Sequence, residues 1–285
     1  MLRVFAAPLF VLIWSTGFVV ARAVRGGIDP ELFLTARFGL TGVMFVGIAL
    51  AMGVPWPRGR DMWRHALAGV FLNGLYLGPS YWAVANGLPA AVMALLGALQ
   101  PLLVALSARA FLAERVTGRT WLGLLIGVGG AALVIGPRLA AGDGSLGTPL
   151  VVAVSLTGIF SMTLGTLLQK TAMASADLRA SSALQNFGGA AATLVLALLL
   201  GEQHWTSGPK QWASLAWAVL VLSGMGTTLL VWMVRGGNAT RASALLLLVP
   251  PLVALETYFL FGETLTLVQV AGFAVALAGV RLARR

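Results

Sequence analysis

From Ala66 to Ala108 the chain runs 43 residues without an Asp, Glu, Lys or Arg. A bilayer core takes about 20 apolar residues per helix. The run is therefore too long for one crossing and suits two. Asn86-Gly87-Leu88-Pro89 divides it, because Asn-Gly favours a turn and proline cannot continue a preceding helix. The stretch reads as a tight helical hairpin. Strands are a poor alternative, since the segment is continuously apolar and barrel strands alternate. Lipid offers backbone amides no partner, so helices are the remaining way across.

Eight further segments share this character with one or other half of the run. The expected spans are 4–24, 31–52, 66–86, 90–111, 119–136, 149–168, 180–200, 211–233, 241–261 and 266–282. Charged residues make up 10% of the chain, against roughly 25% in soluble domains. The first span resembles a signal peptide, but its apolar core, 4–21, exceeds an ordinary h-region and more spans follow. The net charge of +10 does not imply nucleic acid, because the basic residues form short clusters between apolar runs. With no Cys, thiol chemistry and cysteine metal sites are excluded.

Lys and Arg set the orientation. With the N-terminus in the cytoplasm, fourteen fall on the inner side and four, Arg22, Arg25, Arg138 and Lys210, on the outer. This is a positive-inside bias. It places the chain in a cell's inner membrane with both termini cytoplasmic.

The two halves also align. At a shift of 149, Pro101 falls on Pro250, Glu114 on Glu263, Gly123 on Gly272 and Gly130 on Gly279. Phe38-Gly39 falls on Phe187-Gly188, and at a shift of 141 Thr16-Gly17 meets Thr157-Gly158. Five helices per half is an odd number, so the second half enters the membrane from the opposite side. The expected fold is an all-α integral membrane protein of ten transmembrane helices in a 5+5 inverted-topology repeat, residues 1–140 and 141–285.

Ten helices, this repeat and the Pro…Glu…Gly pattern closing each half resemble the EamA-type branch of the drug/metabolite transporter superfamily. The stretch Trp14-Ser15-Thr16-Gly17-Phe18 and Arg37 fit the same likeness, and among its members bacterial exporters of aromatic and other amphiphilic amino acids are nearest. The resemblance implies a central cavity walled by helices one to four and six to nine, with five and ten at the periphery.

Several residues are candidates for that cavity. Asn73, Tyr76 and Ser80 share a helix face. Asn73 and Tyr76 lie near mid-membrane, where they either line a cavity or join helices. Tyr81 and Trp82 sit nearer the outer end and fit a cavity wall or an interfacial belt. Trp14 is too deep for a belt, which leaves packing or substrate contact. Gln100 precedes Pro101, and Pro250-Pro251 occupies the matching place in the ninth span. Pro79, Pro101, Pro250 and Pro251 mark helix kinks that free backbone carbonyls. Ser161 and Ser223 are mid-span and contact either substrate or their own helix.

Arg37 and Glu256 are the two charges placed well inside spans rather than at their ends, each costly there. Their depths match. A structural ion pair, snorkelling to the interface, and proton carriage by Glu256 all remain open. Their repeat counterparts are Asn186 and Ser107, so the charges suggest a side-specific task such as a gate.

Gly127-Val128-Gly129-Gly130-Ala131-Ala132 fits the dinucleotide pattern but lies in an apolar span and reads as small-residue helix packing. His65 and His204 are expected in opposite loops and share no metal site. No cofactor or metal is implied, and no nucleophile motif for intramembrane hydrolysis appears. The function expected is alternating-access export of a small amphiphilic solute, stacked on Trp14, Tyr76, Tyr81 or Trp82. The alternatives are a proton-coupled drug or other metabolite exporter and, behind these, an intramembrane enzyme or a channel. The partners are the solute and the bilayer; the oligomeric state is left open, a monomer included.

Overall fold

The computed structural model describes residues 2–98, 100, 103, 117–141, 149–172, 176–226, 229 and 249–283. The described residues are almost entirely helical. The helices are α1 (Leu2–Val24), α2 (Pro30–Ala51), α3 (Arg60–Gly69), α4 (Leu75–Ala85), α5 (Ala90–Ala98), α6 (Gly118–Ala141), α7 (Pro149–Ala172), α8 (Leu178–Leu200), α9 (Pro209–Ala216), α10 (Val249–Phe261) and α11 (Leu267–Ala283). Each of the ten expected spans contains helix. Among the described residues, Pro30–Ala51, Pro149–Thr166 and Leu178–Leu200 are long and apolar enough to cross a membrane. Large apolar side chains lie on the outside, Leu199 and Phe259 among them. In water such a surface would drive association; in lipid it is the required solvent-facing face.

Local chemistry sets the helix ends. Pro30 occupies the first turn of α2, where a missing N–H costs nothing. The Asp177 carboxylate accepts from the Arg179 backbone N–H at the start of α8, and Gly201 ends that helix in the left-handed region. The hairpin forms at the expected site: Gly87 has φ of +108°, and Asn86 donates its side-chain amide to the Trp82 carbonyl at 2.9 Å.

Two details depart from expectation. The third span begins at Arg60 rather than near 66, because Arg60–Gly69 forms an amphipathic turn whose buried side carries His65. That histidine is therefore not a loop residue. It is buried, with neither ring nitrogen bonded among the described residues. The second departure lies between α3 and α4. The backbone there widens into a π turn, Val70–Gly74. A longer π segment, Trp217–Gly226, follows α9. At the shift of 149, positions 70–74 correspond to 219–223, inside that second segment.

Contacts give the helix directions. Glu202 holds the start of α2 while Thr35 meets Thr193 and Gly42 abuts Phe187, so α2 and α8 are antiparallel. Gly158 lies against Pro79 and Gly165 against Leu72, which makes the π turn and α4 antiparallel to α7. Ser15 reaches Glu256 and Arg22 reaches Glu263, so α1 and α10 run the same way. These directions are those of a chain that crosses alternately.

A close seam joins α6 to α11. A Cβ built on Gly279 would stand 2.3 Å from the Gly127 nitrogen and 2.6 Å from the Gly123 carbonyl oxygen. One on Gly130 would stand 2.3 Å from the Ala276 nitrogen and 2.7 Å from the Gly272 oxygen. Backbone meets backbone, as small residues allow in membranes. The glycine run that mimics a nucleotide motif serves this crossing.

Candidate functional site

The candidate residues are spread over α1, the π turn, α4, α7 and the second π segment. Trp14, on α1, is half-buried; its ring lies 5.2 Å from that of Phe10, and the Gly226 backbone approaches its edge. Asn73, within the π turn, donates to the Gln185 carbonyl of α8 at 3.3 Å. The Tyr76 hydroxyl stands over Gly97, where a Cβ would come within 3.2 Å of it. The side-chain amide of Gln100 donates to Thr166 at 2.9 Å. Ser161 donates to the Phe71 carbonyl at 3.0 Å, so it bonds a neighbouring helix rather than its own. Ser223 is buried in the second π segment. Trp82 is half-buried, and its carbonyl takes the Asn86 amide. Pro250 and Pro251 open the described part of α10; Pro101 lies outside the described residues.

Tyr81 has a structural engagement. Its ring is buried and stacks on Phe33 at 6.0 Å. Its hydroxyl donates to the Gly17 carbonyl at 2.8 Å and accepts from Arg37 Nη1 at 3.2 Å. Arg37 is buried too, with its guanidinium 5.4 Å from the Phe38 ring and Nε without a partner among the described residues.

The direct Arg37–Glu256 pair does not form. Glu256 Oε1 accepts from Ser15 at 2.6 Å instead, and its Oε2 is buried with no partner among the described residues. The two groups have matching depth but are held toward different neighbours. Burial also sets Arg37 apart from a snorkelling side chain.

Several groups that the sequence did not single out tie one end of the molecule together. Arg22 Nε lies 2.6 Å from Glu263 Oε1. A cavity of about 210 Å³ beside this pair is lined by Arg25, Leu88, Pro89, Thr257 and Leu265 as well as Glu263. Nearby, the α1–α2 loop and the α8–α9 loop clasp each other. Asp29 Oδ2 accepts from the Gln203 and His204 backbone N–H groups at 2.9 and 2.8 Å. Glu202 Oε2 accepts in return from the N–H groups of Glu31 and Leu32 at 2.8 and 3.1 Å. Burial pushes the Glu202 carboxyl above its ordinary pKa, against those two bonds. A bridge between Ile28 and Trp205 completes the clasp. Removing the cap with Glu202→Ala should lower stability by about 1 kcal/mol, read as a fall in thermal midpoint in detergent.

The loops 25–29, 86–89, 201–208 and 262–266 thus gather at one end. Among the described residues no group of three His, Cys, Asp or Glu could hold a metal ion.

Known proteins share this organisation. The model of the EamA-like transporter family matches twice, over residues 1–136 and 149–285. A protein called "probable terminal-alkyne amino-acid exporter" from Streptantibioticus cattleyicolor is 27% identical, covering 99% of this chain and 93% of its own. An uncharacterized transporter of Synechocystis sp. is 25% identical over 97% and 87%, and another from Bacillus subtilis is 25% identical over 95% and 88%. One solved structure superposes with a TM-score of 0.68 at 20% identity, covering 98% of this chain and 95% of that one, which is a likeness of fold. The matches and names speak for transport rather than catalysis, and the chain belongs to the EamA-like transporter family.

Proposed function

We propose that this chain exports small amphiphilic metabolites, aromatic or hydrophobic amino acids foremost, by alternating access of two inverted repeats, residues 1–140 and 141–285. The observation that carries the mechanism is the α6–α11 seam. Gly279 meets Gly123 and Gly130 meets Gly272; the shift of 149 turns Gly123 into Gly272 and Gly130 into Gly279. The two contacts exchange, as a pseudo-two-fold axis between inverted halves requires. The separate family match to each half supports the same reading. The amino-acid cargo draws support from the name of the Streptantibioticus relative.

In this reading Trp14, Tyr76 and Trp82 stack the apolar part of the solute, and Asn73, Gln100, Ser161 and Ser223 meet its polar end. Tyr81 and Arg37 brace the first half. The fourteen-to-four charge bias supports a bacterial inner-membrane location with both termini in the cytoplasm. Impermeant labels should then reach residues 53–65 and 169–179 from the same side.

Purified protein in vesicles, offered a panel of labelled amino acids, should show saturable uptake and counterflow. Trp14→Ala and Tyr76→Ala should each cut flux about tenfold, the loss of one good stacking contact, and Trp82→Ala less. Flux with no saturation, or variants equal to the parent, would defeat the proposal.

A second reading, proton coupling through Glu256, draws on the unpartnered Oε2. Transport that follows a pH gradient in the parent and loses that dependence in Glu256→Gln would favour it over facilitated diffusion.

A further inference from the structure

Glu31 is the most deeply buried carboxylate described, 1% exposed. It has no ion pair among the described residues, and its Oε2 has no hydrogen-bond partner. It is pressed into a notch on α4: a Cβ built on Gly78 would stand 2.8 Å from both carboxylate oxygens. The notch exists because position 78 lacks a side chain.

The charged and titratable groups around it are few. Glu202 faces it from the α8–α9 loop and holds the backbone N–H groups of Glu31 and Leu32. Asp29 precedes it and holds the Gln203 and His204 N–H groups. His204 lies in the same clasp, its ring bonded to Thr206 at 3.0 Å. Further along α2, Arg37 is engaged with Tyr81 of α4. On the α8 side, Thr193 meets Thr35. The nearest charges facing Glu31 are thus acidic, so ionising it adds a like charge in a dry site.

We propose that Glu31 is a proton-binding site that controls the clasp. Protonated, it lets α2, α4 and the α8–α9 loop close; ionised, it repels Glu202 and drives them apart. The proton enters and leaves at the clasped end and is not carried across. This device is independent of the solute transported and of any role of Glu256.

The chain has no cysteine, which makes the test direct. Ile28 is 3% exposed and sits behind the bridge to Trp205; Ser207 is exposed on the same loop. Ile28→Cys and Ser207→Cys, in the full chain purified in detergent, are each reacted with a maleimide. The ratio of rates at positions 28 and 207 removes the ordinary pH dependence of a thiol. That ratio should rise about tenfold between about pH 5.5 and about pH 8.5. Glu31→Gln should hold it at the low-pH value, Glu31→Asp should restore a rise, and Glu202→Gln should shrink it. His204→Gln should leave the rise intact. A rise that survives Glu31→Gln, vanishes with His204→Gln, or is absent from the parent overturns the proposal. Size-exclusion elution of each variant separates loss of fold from loss of response, and Glu31→Asp, which keeps the carboxyl, decides the matter if the amide variant does not fold.

Discussion

Gly188→Ala should destabilise the protein by about 3 kcal/mol or prevent its folding, the upper range for forced overpacking. The added Cβ would stand 2.0 Å from the Ala66 carbonyl oxygen and 2.8 Å from its carbon. These are backbone atoms and cannot rotate away. Gly69→Ala should be as damaging, since its Cβ would lie 1.9 Å from the Gln185 oxygen across the same α3–α8 contact. Gly39→Ala is the matched control: its Cβ would meet nothing within 4 Å, and alanine is the better helix former. Thermal unfolding in detergent, with yield as a second readout, should show a large loss for the first two and none for the third.

Tyr81→Phe should produce the next largest loss, about 2–3 kcal/mol, because one hydroxyl serves two buried groups. Removing it leaves the Gly17 carbonyl without its donor and Arg37 Nη1 without its acceptor. The guanidinium, whose Nε already lacks a partner among the described residues, then becomes an uncompensated charge. Arg37→Met should cost less, since the tyrosine can still donate to Gly17. Combining the two should cost clearly less than the sum, because a buried charge removed together with its partner leaves nothing stranded. Chemical denaturation of the four proteins in one detergent would measure that coupling, and strict additivity would refute the shared hydroxyl.

The spans were legible because lipid imposes a length and forbids charge. The 43-residue run, the Asn86–Pro89 break and the glycines at 123, 127 and 130 each carried that signal unaided. Facing was not legible. Arg37 and Glu256 share a depth, yet one turns to Tyr81 and the other to Ser15, and a helical sequence fixes depth far better than azimuth in a bundle. The π turn at Val70–Gly74 left no pattern, since one wide turn hardly alters hydrophobic periodicity. Glu31 was passed over because an acid in the first turn of a helix after Asp-Pro is ordinary. Its burial depends on Gly78 and on a loop some 170 residues away that no local reading connects to it.

The α6–α11 seam bears on movement. Where main chains touch directly, no rotamers are available to repack, so small sliding displacements have no intermediate resting places. In the alternating access proposed above, such a contact would serve as an axle. The remaining helices would swing about it as rigid arms, and a label on either end of the seam should report almost no displacement while the clasped loops travel furthest.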